Sequence, residues 1–89
     1  MLGVEAEGED ICIARIGGEL YAINNICTHM YTWLDSGELF AATREVQCPL
    51  HESRFSFETG LPTTPPAETP VQTYAVRVEG DDILIGPGA

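Results

Sequence analysis

The sequence predicts an all-β fold, and three observations carry that prediction. Short apolar runs alternate with turn residues along the whole chain. No segment repeats apolar residues at helical spacing over several turns, so almost no helix is expected. The stretch VQTYAVRVEGDDILIG is the clearest hairpin, with Val76 and Val78 alternating with Arg77 and Glu79 before Gly80-Asp81-Asp82 turns into Ile83-Leu84-Ile85. Closely spaced strands with Gly-rich turns imply antiparallel sheets closed into a sandwich or barrel.

The elements follow in order. LGVEA and DICIARI flank the turn EGE. Gly17-Gly18 is a hairpin signal ahead of the strand LYAIN. GELFA and EVQC flank Ala42-Thr43-Arg44, and RFSFE alternates apolar with polar residues before TGLP turns the chain. LPTTPPAETP, residues 61–70, holds four prolines. Proline lacks an N–H and fixes φ, so this segment reads as a stiff extended loop rather than a strand.

Eighty-nine residues allow one domain, 1–89. So short a chain buries a modest fraction of its surface, and a cofactor that cross-links loops would help it. Apolar residues make up 44% of the chain, which is ordinary for a folded protein. No apolar run approaches the ~20 residues that span a bilayer, and no signal segment opens the chain, so the cytoplasm is expected. Fourteen acidic residues face four arginines and no lysine, a net charge of −10. Nucleic acid and anionic membrane would repel that surface, whereas a protein with a basic docking patch would be steered to it. In a reducing compartment the three cysteines are not expected to pair. Cys12, within EDICIARI, reads as a small buried side chain.

The other two cysteines share two short loops with both histidines: NICTHMYTWL (25–34) and QCPLHESRF (47–55). The spacing is Cys27-x-His29, eighteen intervening residues, then Cys48-x-x-His51. Two thiolates and two imidazoles suit zinc or an iron–sulfur cluster. A structural Cys₂His₂ zinc site is one reading. Zinc fingers usually put both cysteines in one knuckle and both histidines on a helix. Here each loop mixes the two types, as a [2Fe–2S] centre requires when one iron takes two Cys and the other two His.

Cys27-Thr28-His29, Leu34, Gly37, Cys48-Pro49-Leu50-His51, Phe55, Thr59-Gly60, Pro65-Pro66-Ala67 and the closing YAVRVEGDDILI form a pattern along nearly the whole chain. It resembles the Rieske-type ferredoxins of bacterial aromatic-ring-hydroxylating dioxygenase systems. The resemblance implies the Rieske fold: a sandwich- or barrel-like base (1–23 and 71–89) and a smaller cluster-binding part (about 24–70). It implies one [2Fe–2S] cluster held by Cys27 and Cys48 on the inner iron and by His29 and His51 on the outer. The proline loop would cover a third side. It also implies a one-electron carrier, not itself an enzyme, between a flavin-dependent reductase and a terminal oxygenase. Both partners would dock near His29 and His51. Two alternatives stay open: a Rieske-type small subunit of another reductase complex, like that of nitrite reduction, and a structural zinc module that binds a protein. A detached oxygenase domain would carry Gly-Trp after the second histidine, where this chain has Glu52-Ser53.

Respiratory and photosynthetic relatives carry one more cysteine in each loop, forming a disulfide; Thr32 and Leu50 occupy those places here. A potential towards the lower end of about −150 to +300 mV is therefore expected. Ser53 stands where high-potential relatives place a hydroxyl donor to a bridging sulfide, and Phe55 where they use a tyrosine. A solvent-facing Ser53, with no tuning role, is the favoured reading. Leu34 is expected beneath the cluster, with Trp33 and Met30 forming an apolar docking rim. Acidic residues are expected to lie away from His29 and His51, because reduction adds negative charge there. Relatives usually have a further strand before GVEAEGEDICIARI, so an edge of the base sheet should be uncovered.

Overall fold

The computed structural model describes residues 1–28, 31–50 and 52–86. Among them are nine strands and a single 3₁₀ turn, Leu34–Ser36. The strands are β1 Leu2–Ala6, β2 Glu9–Ile16, β3 Glu19–Asn24, β4 Glu38–Phe40, β5 Glu45–Gln47, β6 Arg54–Ser56, β7 Pro62–Thr64, β8 Thr73–Glu79 and β9 Asp82–Gly86. They make two antiparallel sheets, β1-β2-β3-β8-β9 and β4-β5-β6-β7. Strand β3 pairs directly with β8, Ala22 opposite Tyr74 and Ile23 opposite Thr73. Everything between them, the second sheet and both cysteine loops, is therefore an insertion between neighbouring strands of the first sheet. No helix among the described residues is long and apolar enough to cross a membrane.

Period-two patterning explains the packing. On β2, Ile11 and Ile13 face one side, while Cys12, Ala14 and Ile16 face the other, and all five are buried. Ile11 and Ile13 join Ala22 and Tyr74, with Val4, Val76 and Ile85 packed alongside. Cys12, Ala14, Ile16 and Ile23 join Leu34, Val46, Phe55 and Phe57 of the insertion. The first sheet thus has one apolar cluster of its own and shares the other with the second sheet. Leu34 and Phe55 are wholly buried, and each such side chain contributes about 1.5–3 kcal/mol.

The hairpins fall where the turn residues placed them. Glu7-Gly8 and Gly17-Gly18 take positive φ at both central positions, the geometry that matches strand twist in a two-residue turn. Gly60 answers a different need. Its φ is +77°, and a Cβ there would collide with the Val71 carbonyl. Val71 N–H donates to Gly60 O at 2.9 Å, which seats the chain leaving the proline segment.

That segment departs from the expected plain loop. Pro62-Thr63-Thr64 is strand β7, the edge of the second sheet, with Thr64 opposite Arg54 and Pro62 opposite Phe55 across an irregular register. An edge strand tolerates a proline whose missing N–H would face outward, and two threonines favour extended backbone. The edge of the first sheet is β1 itself, ladder-paired with β2, Val4 opposite Ile11.

Candidate metal centre

The two cysteine loops share one backbone device. Cys27 N–H donates to Thr32 O at 3.0 Å, and Cys48 N–H donates to Ser53 O at 2.8 Å. Each loop is closed by the cysteine amide onto the carbonyl five residues on, and each encloses one histidine in sequence. His29 and His51 themselves, and Met30 with them, lie outside the described residues. The expectations that rest on these three concern imidazole ligation, the Met30 half of the rim and the distance of acidic groups from the rings.

Asn25 sets the first loop. Its N–H donates to Asp10 O at 2.8 Å, and its carbonyl accepts from Leu34 N at 2.7 Å. Its side-chain Oδ1 accepts from Asp35 N at 2.8 Å, while Nδ2 donates to Asp35 Oδ1 at 3.0 Å. The amide is 3% exposed, so these bonds are made away from water, where an unmade one costs most. Ile26 bridges Trp33 across the loop. Leu34 then points inward with no exposure, as expected, and Gly37 lets β4 approach β5. A Cβ at Gly37 would collide with the Gln47 carbonyl. Asn25 and Asp35 escaped the sequence reading. Their only signal was an Asn-Asn pair ahead of the cysteine, which reads equally well as an ordinary turn.

Ser53 is a correction. It is fully buried, not solvent-facing, and its Oγ accepts from Ala67 N–H at 2.9 Å. The third loop folds over it, because a buried N–H there needs an acceptor. Thr28 Oγ1 donates to Thr69 O at 2.6 Å, tying the first loop to that same third loop.

Cys27 and Cys48, 3% and 2% exposed, are thereby brought into one buried cluster with Leu34, Val46, Phe55 and Ala67. Both sulfurs are held away from water, and sulfur donors of this kind are ligands for soft metals. The sulfurs of Cys27 and Cys48 therefore fit a soft-metal group. Cys12 lies in the same cluster but serves it differently. Burial pushes its thiol up to about 12, with the negative charge of Asp35 adding to the effect, so it stays a neutral packing group. At the outer surface Tyr31 is 81% exposed and Trp33 42% exposed, edge-on to one another at 6.3 Å between centroids. Trp33 is exposed as the expected rim requires.

The Rieske [2Fe-2S] domain family matches residues 1–75. The chain is 38% identical over 85 residues to the ferredoxin component of the naphthalene 1,2-dioxygenase system of Pseudomonas aeruginosa, covering 96% of this chain and 80% of the relative. Among solved structures it resembles the ferredoxin of carbazole 1,9a-dioxygenase from Nocardioides aromaticivorans IC177, with TM-score 0.92 and 40% identity over 97% of this chain and 83% of that one. It also resembles a chain in the complex of reduced oxygenase and oxidized ferredoxin in carbazole 1,9a-dioxygenase, with TM-score 0.87 and 27% identity over 96% of this chain and 86% of that one.

Proposed function

The chain belongs to the Rieske [2Fe-2S] domain family, and from that premise we propose that it carries single electrons from a flavin-dependent reductase to the terminal oxygenase of an aromatic-ring dioxygenase system. The family's cofactor is one Rieske-type [2Fe–2S] cluster. The related proteins are ferredoxin components, electron-transfer parts of such systems rather than the catalytic enzyme. The observation that carries the reading is the pair of matched loops, each closed from a buried cysteine to the fifth residue on.

In this reading Cys27 and Cys48 hold the inner iron, and His29 and His51 hold the outer iron. The cluster supplies a site that takes up and gives back one electron. The protein's share is geometric and electrostatic. Asn25 and Gly37 fix the first loop against the first sheet, and Ser53 fixes the third loop over the second. Leu34, Val46 and Phe55 keep water from the inner side. The insertion supports a division into a base and a cluster-binding part. The partners dock near His29 and His51, and the 14 acidic side chains draw a basic partner towards the chain. We place the protein in the cytoplasm, where thiols stay reduced.

EPR before and after dithionite, with iron and sulfide assayed on one anaerobic sample, tests this. The expected result is a silent oxidised form that on reduction gives a rhombic signal of low average g, with about two irons and two sulfides per chain. Cys48→Ala and His51→Ala should lose that signal. A colourless protein holding one zinc would overturn the reading.

A further inference from the structure

Beside the first cysteine loop the chain turns a notch of about 370 Å³ outward. Trp33 forms an aromatic wall, and Glu5, Asp10 and Asp35 line the rest with Gly3 and Asn25. Tyr31 extends the aromatic surface edge-on from Trp33. Three features of this notch point to a cationic occupant.

First, none of its lining residues is basic. The salt bridges among the described residues, Arg54 with Glu45 and Arg77 with Glu79, involve other carboxylates. Second, Glu5 and Asp10 are directly opposite one another in the β1–β2 ladder. Like charges so placed repel, and a cation set between them removes the penalty. Third, a large indole stays 42% exposed although the apolar cluster beneath Leu34 lies one residue away. An indole face attracts a cation by its quadrupole, most strongly a flat guanidinium that can also bind carboxylate oxygens in pairs. Gly3 completes the shape, since a Cβ at that position would collide with the Asp35 carboxylate.

We propose that this notch receives an arginine side chain from the docking face of a basic redox partner, stacked on Trp33 and facing Glu5, Asp10 and Asp35. The inference rests on the electron-carrier reading. It adds to that reading a second anchor on the flank of the Cys27 loop, joined to it through the Ile26–Trp33 bridge. Such an anchor fixes the partner's orientation, and the long-range charge brings the partner in.

The test uses the reduced protein in stopped-flow with two acceptors at low ionic strength. One is cytochrome c, a basic protein, and the other is ferricyanide, a small anion that needs no docking. The variants are Trp33→Ala, Tyr31→Ala and the double change Glu5→Gln with Asp10→Asn. A control removes as many charges from the far hairpin, Glu79→Gln with Asp82→Asn. The notch variants should slow reduction of cytochrome c about threefold to tenfold, as expected for a lost charged anchor. The far control should change it little, and the ferricyanide rate, EPR signal and midpoint potential should stay unchanged. Equal rates with cytochrome c in all variants would overturn the notch, as would a far control that slows it just as much. Wild-type protein that reduces ferricyanide but not cytochrome c would overturn it too. A chain that reduces neither acceptor overturns the carrier reading itself, and the notch falls with it.

Discussion

Ser53 shows how much one hydroxyl can organise. Its oxygen receives the buried Ala67 N–H, so a Ser53→Ala change strands that donor at a cost of about 1–3 kcal/mol. Urea melts should show the loss. The midpoint potential should fall as well if the Ser53 hydroxyl donates its proton to a sulfur of the cluster; an unchanged potential would restrict Ser53 to tying the loop. The sequence marked this residue by its place after His51, yet its burial depends on a loop fourteen residues away closing over it, which no local pattern encodes. Asn25 was hidden for the same reason, since its value lies in what Asp10, Leu34 and Asp35 present to it. Cys12, by contrast, was legible from apolar neighbours alone. Its thiol rises from 9.0 to about 12, so the folded chain keeps a proton that the unfolded chain loses. The stabilisation this gives is complete below about pH 9 and is lost as pH rises towards 12. Urea melts from pH 7 to 10.5 should therefore slope downward more steeply for wild type than for Cys12→Ala.

At the scale of elements, the hairpins were readable and the joints between them were not. Glu7-Gly8, Gly17-Gly18 and Gly80 announce their turns by chemistry that acts within two residues. β7 was obscured because the four prolines of segment 61–70 outvoted its two threonines, and only the neighbouring edge of β6 decides between loop and strand. Gly60 and Gly80 separate the two kinds of information. Both have positive φ, 77° and 64°, but a Cβ at Gly60 strikes the Val71 carbonyl while one at Gly80 meets nothing within 4 Å. Gly80→Ala should cost about 1 kcal/mol for its backbone alone. Gly60→Ala should cost about 3 kcal/mol or more, because the segment carrying Val71 must also shift. Denaturant midpoints of the two variants measure the difference.

For the whole molecule, the two apolar clusters imply two levels of dependence on the cofactor. One cluster contains Cys27 and Cys48; the other, built from Ile11, Ile13, Ala22 and Tyr74, touches neither. Removing iron with a chelator under reducing conditions should free the insertion first. Hydrogen exchange should then speed at the amides of Cys27, Cys48 and Ala67, while those of β2 and β3 stay protected. Equal loss across both sheets would show a single cooperative unit instead. The all-β class could be read from the chain because alternation is a local property; how two apolar faces of one sheet divide the labour could not. Trp33 has one more consequence. It is the sole tryptophan, it stands at the mouth of the first cysteine loop, and an iron–sulfur chromophore held by Cys27 would drain its excited states by energy transfer. The chain thus carries its own optical gauge: ultraviolet emission stays dark while the centre is filled and brightens molecule by molecule as it empties.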